Sequence, residues 1–244
     1  MASPPLTAEY AQLIDDLIAV VTRDALSLGR QVSVLSPIEA RNILVNELPE
    51  LVRAYGEVGG QYSADWYNQV RFEANARGNY RAAVAGVPND DQIQATARWA
   101  VKGLFVDEVE SFLRDLAYGS TRLVQQPTRS TIVESAFADP ASGAFVRVAR
   151  TDACPFCLML ASRGAVFASR ASATTVGTGR IRGSRQVGES YHTNCKCRAE
   201  PVFSPDDVPT FNRELAREWG EVTAGLGGKD ALRAWDQHFK LTRT

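Results

Sequence analysis

The chain holds 244 residues, 45% of them hydrophobic, and carries a formal charge of −1. That is enough apolar material for one good core, or for a helical domain with a smaller one appended. The near-neutral balance excludes a global basic field drawing the whole molecule to nucleic acid, and no apolar run approaches the roughly 20 residues that span a bilayer.

The best such run, Leu13 to Val21, is interrupted by Asp15 and Asp16. The opening MASPPLTAEYAQ has no basic stretch followed by an apolar core, so no secretion signal is expected and the protein reads as soluble, without membrane contact. There is no internal repeat. Residues 1 to about 135 read as helices. Leu6, Tyr10, Leu13, Ile14, Leu17, Val20 and Val21 recur at three- and four-residue spacing, with Thr7 as N-cap and a break at Gly29. Ser36-Pro37-Ile38-Glu39 places a capping serine before a first-turn proline and an acid, which starts a second helix through Leu44, Leu48, Val52 and Tyr55. Pro49 is expected to kink it, and Gly59-Gly60 to relax it before helix resumes near Ser63. Pro88-Asn89-Asp90-Asp91 reads as loop and cap, followed by one long helical pattern from Trp99 through Leu116. The aromatic residues at helical spacing are assigned to packing.

The character changes at Asp139-Pro140-Ala141-Ser142-Gly143, a turn-rich stretch. Phe145 to Arg150 then alternates apolar with polar, predicting a strand. Cys157 to Gly164 predicts a short helix ending at glycine, and Ala199 to Phe203 a second extended piece. The fold class expected is α+β, mainly α. A helical domain (1–139) precedes a small zinc-stabilised α+β module (140–204) and a C-terminal helical tail (205–244).

All four cysteines and one of the two histidines lie in one window: C-P-F-C at Cys154 and Cys157, then H-T-N-C-K-C with His192, Cys195 and Cys197. Two thiolates with two residues between them can reach one tetrahedral metal from a tight turn, and a distant His/Cys cluster can close the site. Five candidates compete for four places, because H-x-x-C and C-x-C are both feasible pairs. Two disulfides would need an oxidising compartment. The expectation is therefore one zinc per chain. Its role reads as structural, since three or four thiolates leave no open position and weaken the metal's power to polarise water. No H-E-x-x-H occurs, and no histidine stands upstream of Cys154 to supply the H-x-E of zinc deaminases.

Between Asp152 and Glu189 the chain has no acid but carries Arg163, Arg170, Arg180, Arg182 and Arg185. The Ser-, Thr-, Gly- and Ala-rich stretch 168–190 cannot pack a core and is expected to be a mobile loop between the two halves of the zinc site. Its arginines suit phosphate contacts, an acidic protein surface, or neutralisation of nearby thiolates. A magnesium nuclease would want paired carboxylates beside this loop, where only Asp152 and Glu189 flank it.

The order of parts resembles the phage Mu protein F-like minor head proteins, the phage head morphogenesis family. The resemblance rests on C-P-F-C followed by L-M-L-A-S-R-G, then Y-H-T-N-C-K-C-R-A-E-P-V-F, over roughly residues 100–205. It implies a minor head protein of a tailed bacteriophage, portal-proximal, acting in head morphogenesis and in DNA packaging or ejection. The partners implied are portal and capsid proteins and packaged DNA, with Arg170, Arg180, Arg182, Arg185, Lys196 and Arg198 as contact residues. The place implied is the virion, in the head interior or at the portal vertex, after assembly in the host cytoplasm. Similar actinophage proteins are often labelled capsid maturation protease, which is the alternative. A serine or cysteine hydrolase needs a nucleophile beside a base. The residues available are Ser190, one surplus thiolate and His238 in the tail, without a G-x-S-x-G elbow. No catalytic residue is assigned.

Overall fold

A computed structural model of the chain describes residues 4–165 and 197–242. Helix α1 (Pro4–Val32) turns into α2 (Pro37–Glu73) through the expected cap. The Glu39 amide donates to Ser36 Oγ at 3.3 Å, and the Ser36 amide donates to the Glu39 carboxylate at 3.1 Å. Both orphan donors of the helix start are thereby satisfied. Thr7, read as a cap, lies inside α1.

The breaks expected at Gly29 and Gly59-Gly60 do not occur, and both helices run through them. A Cβ on Gly59 would stand 2.5 Å from Thr128 Cγ2 and 2.9 Å from Leu17 Cδ2, and one on Gly29 only 2.8 Å from Leu113 Cδ2. These glycines let neighbouring helices approach, and the packing gained overrides their helix cost of roughly 1 kcal/mol each. The long pattern expected from residue 89 onward is split instead. It forms α3 (Asp90–Ala100), a 3₁₀ turn (Val101–Val106), and α4 (Val109–Ala138). The reversal is made by Asp107 at φ 58° and by Gly103, where a Cβ would meet the Glu108 carbonyl and the Phe112 amide at 2.9 Å. As expected, Asn89 caps α3, accepting from the Gln92 amide at 2.9 Å.

Helix α4 is the central element and packs on α1, α2 and α3. Its second half is buried on nearly every side, polar residues included: Gln126, Thr128, Arg129, Ser130, Thr131 and Ser135 are all interior. Thr131 accepts from the Ala85 amide at 2.9 Å, and Gln126 from Gln92 at 3.0 Å, so these two side chains are bonded rather than stranded. One apolar cluster fills the bundle between Leu17, Val21, Leu44, Leu48, Ile93, Phe112 and Leu116.

After Asp139 the chain forms β1 (Ala144–Ala149), α5 (Pro155–Ala161) and, beyond the undescribed stretch, β2 (Cys197–Val202). The strands pair antiparallel with Ala144 opposite Val202 and Ala149 opposite Cys197. A second cluster joins Tyr10, Trp66 and Tyr67 of the first helices and Ile132 and Val133 of α4 to Phe145 and Ala199 of the sheet. The two-stranded sheet thus packs on the bundle, as an isolated hairpin needs in order to be stable. The fold is mainly helical with this one small sheet among the described residues.

The tail, α6 (Thr210–Val222) and α7 (Gly228–Thr242), folds back on α5. Buried Asn212 donates from Nδ2 to the carbonyls of Arg147 and Ala161, both at 2.8 Å. Trp66, Tyr67 and Trp235 are interior, as their assignment to packing expects, and Trp219 packs partly buried on Trp235.

Tyr10 stacks on Trp66 with ring centroids 4.4 Å apart and hydrogen-bonds Ser63 at 2.9 Å. Burial pushes the Tyr10 phenol up to about 12, and burial with the Asp139 carboxylate raises Tyr67 further still. In the unfolded chain both titrate near pH 10, so the native state holds their protons longer. The stability these phenols contribute is complete below about pH 10 and lost as pH rises towards 12. We expect alkaline titration to show their tyrosinate absorbance appearing together with loss of helical circular dichroism. Full tyrosinate absorbance from a chain still folded would contradict this.

Candidate metal centre

The geometry of the cysteine region begins at the register of the sheet. Strand β1 ends opposite the start of β2, with Ala149 paired to Cys197. From Arg150 the chain turns tightly, the Ala153 amide donating to the Arg150 carbonyl at 3.1 Å, and enters α5. Cys154 is the N-cap of that helix, Pro155 its first residue, and Cys157 one turn on. Proline there costs nothing, because the first helical amides have no intrahelical partner. Cys154 and Cys157, three apart, share a face of the turn.

Cys157 and Cys197 are both buried in a cluster with Leu158, Leu160, Leu215, Trp235 and Phe239, while Cys154 is exposed. The Cys197 Sγ lies 3.9 Å from the Cys157 carbonyl oxygen. Two cysteines forty residues apart in sequence are therefore neighbours, one on each half of the motif. Trp235 Nε1 donates to the Pro155 carbonyl at 2.8 Å, so the tail clamps the C-P-F-C turn directly. Gly164, at φ 62°, closes the segment after α5 in the left-handed conformation that glycine adopts without strain.

His192, Cys195, Lys196, Arg170, Arg180, Arg182, Arg185 and Ser190 lie outside the described residues, as does the loop 168–190. Among the described residues, no group of three or more His, Cys, Asp or Glu side chains is gathered for a metal. The described donors are cysteine sulfurs from two segments, a donor type that zinc accepts, and Cys154 is exposed. His192 and Cys195 precede β2 in sequence.

Of the sequence-flagged basic residues, Arg198 is described. It donates from Nε to Glu200 at 2.7 Å and is partly buried. Three further arginines surround the start of β2 that sequence reading passed over. Arg129, 5% exposed, donates from Nε to the Cys197 carbonyl at 3.1 Å. Arg150 meets Asp15 at 2.6 Å and Asp152 at 3.1 Å, and Arg122 sits seven residues before Arg129 on α4. That seven-residue spacing, two turns of one helix face, was the available signal. Glu189, the other acid flanking the loop, lies outside the described residues. His238 bonds the Glu218 carboxylate at 2.6 Å and stacks on Trp235, linking α6 to α7.

No helix among the described residues is long and apolar enough to cross a membrane. Searches of curated proteins and of solved structures return no match. The sequence model of the VG15 protein family matches residues 1–222, which takes in the bundle, the sheet, the cysteine region and α6. The chain therefore belongs to the VG15 protein family, a phage-associated family of viral gene products.

Proposed function

We propose that this protein is a minor head protein of a tailed bacteriophage, acting near the portal in head morphogenesis, with one structural zinc holding its cysteine region together. Membership of a phage-associated family supports the setting, and the Mu F-like order of motifs supports the role. The observation that carries it is the contact of Cys197 with Cys157, which joins the two motif halves as that resemblance requires. Zinc supplies folding free energy here, by tying the C-x-x-C turn to the start of β2. The chain's own residues do the rest: Trp235 clamps the turn, Asn212 fixes the tail, and the second apolar cluster docks the sheet on the bundle. No observation among the described residues favours the protease alternative. His238, the histidine they include, serves to link the tail helices.

The portal is the proposed partner of the helical region. Since Trp66, Tyr67 and Trp235 are interior, the interface falls to exposed apolar side chains such as Val34, Ile38, Phe105 and Val106, which are 83%, 56%, 55% and 64% exposed. Co-expression with the portal protein encoded in the same phage genome, followed by size-exclusion chromatography, is expected to give one co-eluting peak at micromolar concentration. Charged replacement of Phe105 and Val106 should split it. Two separate peaks for the unaltered pair, or absence of the chain from purified virions by mass spectrometry, would overturn the proposal.

A further inference from the structure

A cavity of about 290 Å³ opens between α1, the middle of α4 and the start of β2. Four arginines line it: Arg122 and Arg129 from α4, Arg150 after β1, and Arg198 on β2. Among the described residues that line it, Asp15 is the only carboxylate. Arg150 pairs with Asp15 and Asp152, and Arg198 with Glu200. Asp15 and Asp152 are about half exposed, and ion pairs of that kind are worth at most about 1 kcal/mol, so they yield readily to a better anion.

Arg129 is held in place before any ligand arrives. Its Nε bonds the Cys197 carbonyl and its Nη2 the Gln125 side-chain oxygen. A buried, oriented guanidinium has met its desolvation cost on folding, and its planar fork matches the geometry of a phosphate. The opposite wall is different in kind. Ile14 and Ile18 of α1 and the Tyr118 ring make it apolar. A bare phosphate ion would meet the arginines and leave this wall and most of the volume unused. The cavity lies at the small end of the range for organic ligands.

We infer that this cavity is a nucleotide site, taking a phosphate on Arg122, Arg129, Arg150 and Arg198 and a base against Ile14, Ile18 and Tyr118. The chemistry is shared by a free nucleotide and by one nucleotide of a single strand, since base stacking on an aromatic ring beside arginines serves either. The site goes beyond the head-protein reading and needs no portal, and it shares Cys197 and β2 with the proposed zinc site, so its test uses the chain as purified with its metal. A failure here leaves that reading standing, and the converse also holds.

The test is calorimetric titration of the full chain with a deoxynucleoside monophosphate, a short single-stranded oligodeoxynucleotide, inorganic phosphate and a glutamate-rich peptide. Saturable binding of the mononucleotide or the oligonucleotide is expected, with inorganic phosphate at least about tenfold weaker. Arg122→Gln should weaken binding at least about tenfold, as loss of a charge-assisted hydrogen bond does. Arg122→Lys should retain most of it, and Ile18→Asp should abolish it, with thermal melting of each variant establishing that it is folded. Mononucleotide binding equal to that of the strand marks a free nucleotide as the ligand. Tighter, salt-sensitive binding of the strand marks single-stranded nucleic acid. The inference is overturned if neither nucleotide probe binds, if the peptide or inorganic phosphate binds as tightly as either, or if folded Arg122→Gln binds like the parent.

Discussion

Replacing Asp139 with alanine should destabilise the protein by about 3–5 kcal/mol, the range for breaking one side of a buried ion pair. The Asp139 side chain is fully buried and that of Arg71 is 10% exposed, with Arg71 Nε donating to Asp139 Oδ2 at 2.8 Å. Tyr67 donates to the same oxygen at 3.3 Å, and the Ala141 amide to the other at 3.0 Å. Arg71 also donates to the carbonyls of Ala76, Arg77 and Gly78, closing the loop that follows α2. Without the carboxylate, a buried guanidinium loses its counter-charge and two further donors lose their acceptor. Distance alone does not set this cost. Arg53 and Asp90 are closer, at 2.5 Å, but 36% and 54% exposed, and Asp90→Ala should cost under about 1 kcal/mol. Asp139→Asn, which keeps the shape and loses the charge, should fall between the two. Urea unfolding with comparable slopes would establish the ordering, and a loss below about 1 kcal/mol for Asp139→Ala would defeat it.

Asp139 also marks where sequence reading succeeded and where it stopped. The turn at residues 139–143 and both strands were legible, because a turn-rich cluster followed by period-two alternation has few other meanings. The cap at Ser36 and Glu39 was legible for the same local reason. Glycine was not. Gly29 and Gly59 look like helix breakers in one dimension, and only the positions of Leu113, Thr128 and Leu17 reveal them as sites of close helix approach. The interior half of α4 was equally hidden, since polar side chains such as Gln126, Thr128, Arg129 and Ser130 carry no local signal of burial. They are buried because α4 is surrounded, which is a property of the whole fold and not of its own periodicity. At the candidate centre, spacing named the cysteines, whereas their meeting depends on a long-range register, Ala149 opposite Cys197, that no local pattern encodes. Arg122, Arg129 and Arg150 escaped notice because they come from α4 and the turn after β1, both distant in sequence from Cys197.

Cys154 offers the sharper test of the zinc proposal, because its exposure separates the two explanations of any damage. Cys157 is 1% exposed among apolar side chains, so Cys157→Ser buries a hydroxyl and costs about 1–3 kcal/mol whether or not metal is bound. An exposed residue with no structural duty changes stability by no more than about 0.5 kcal/mol when replaced. If Cys154 is a zinc ligand, its replacement by serine instead removes a share of metal-binding energy that in zinc-dependent modules totals roughly 10–16 kcal/mol. We expect Cys154→Ser to cost several kcal/mol, and bound zinc to drop from about one equivalent per chain to a small fraction. The loss should centre on α5, β2 and the tail, which share one apolar cluster with Cys157 and Cys197, and leave the helical bundle cooperative. A strong chelator closes the cycle. It should bring the parent protein down to the stability of Cys154→Ser while leaving that variant unchanged, since metal and ligand act through the same free energy. Less than about 0.2 equivalents of zinc in parent protein purified under reducing conditions would end the proposal, as would a Cys154→Ser chain as stable as the parent.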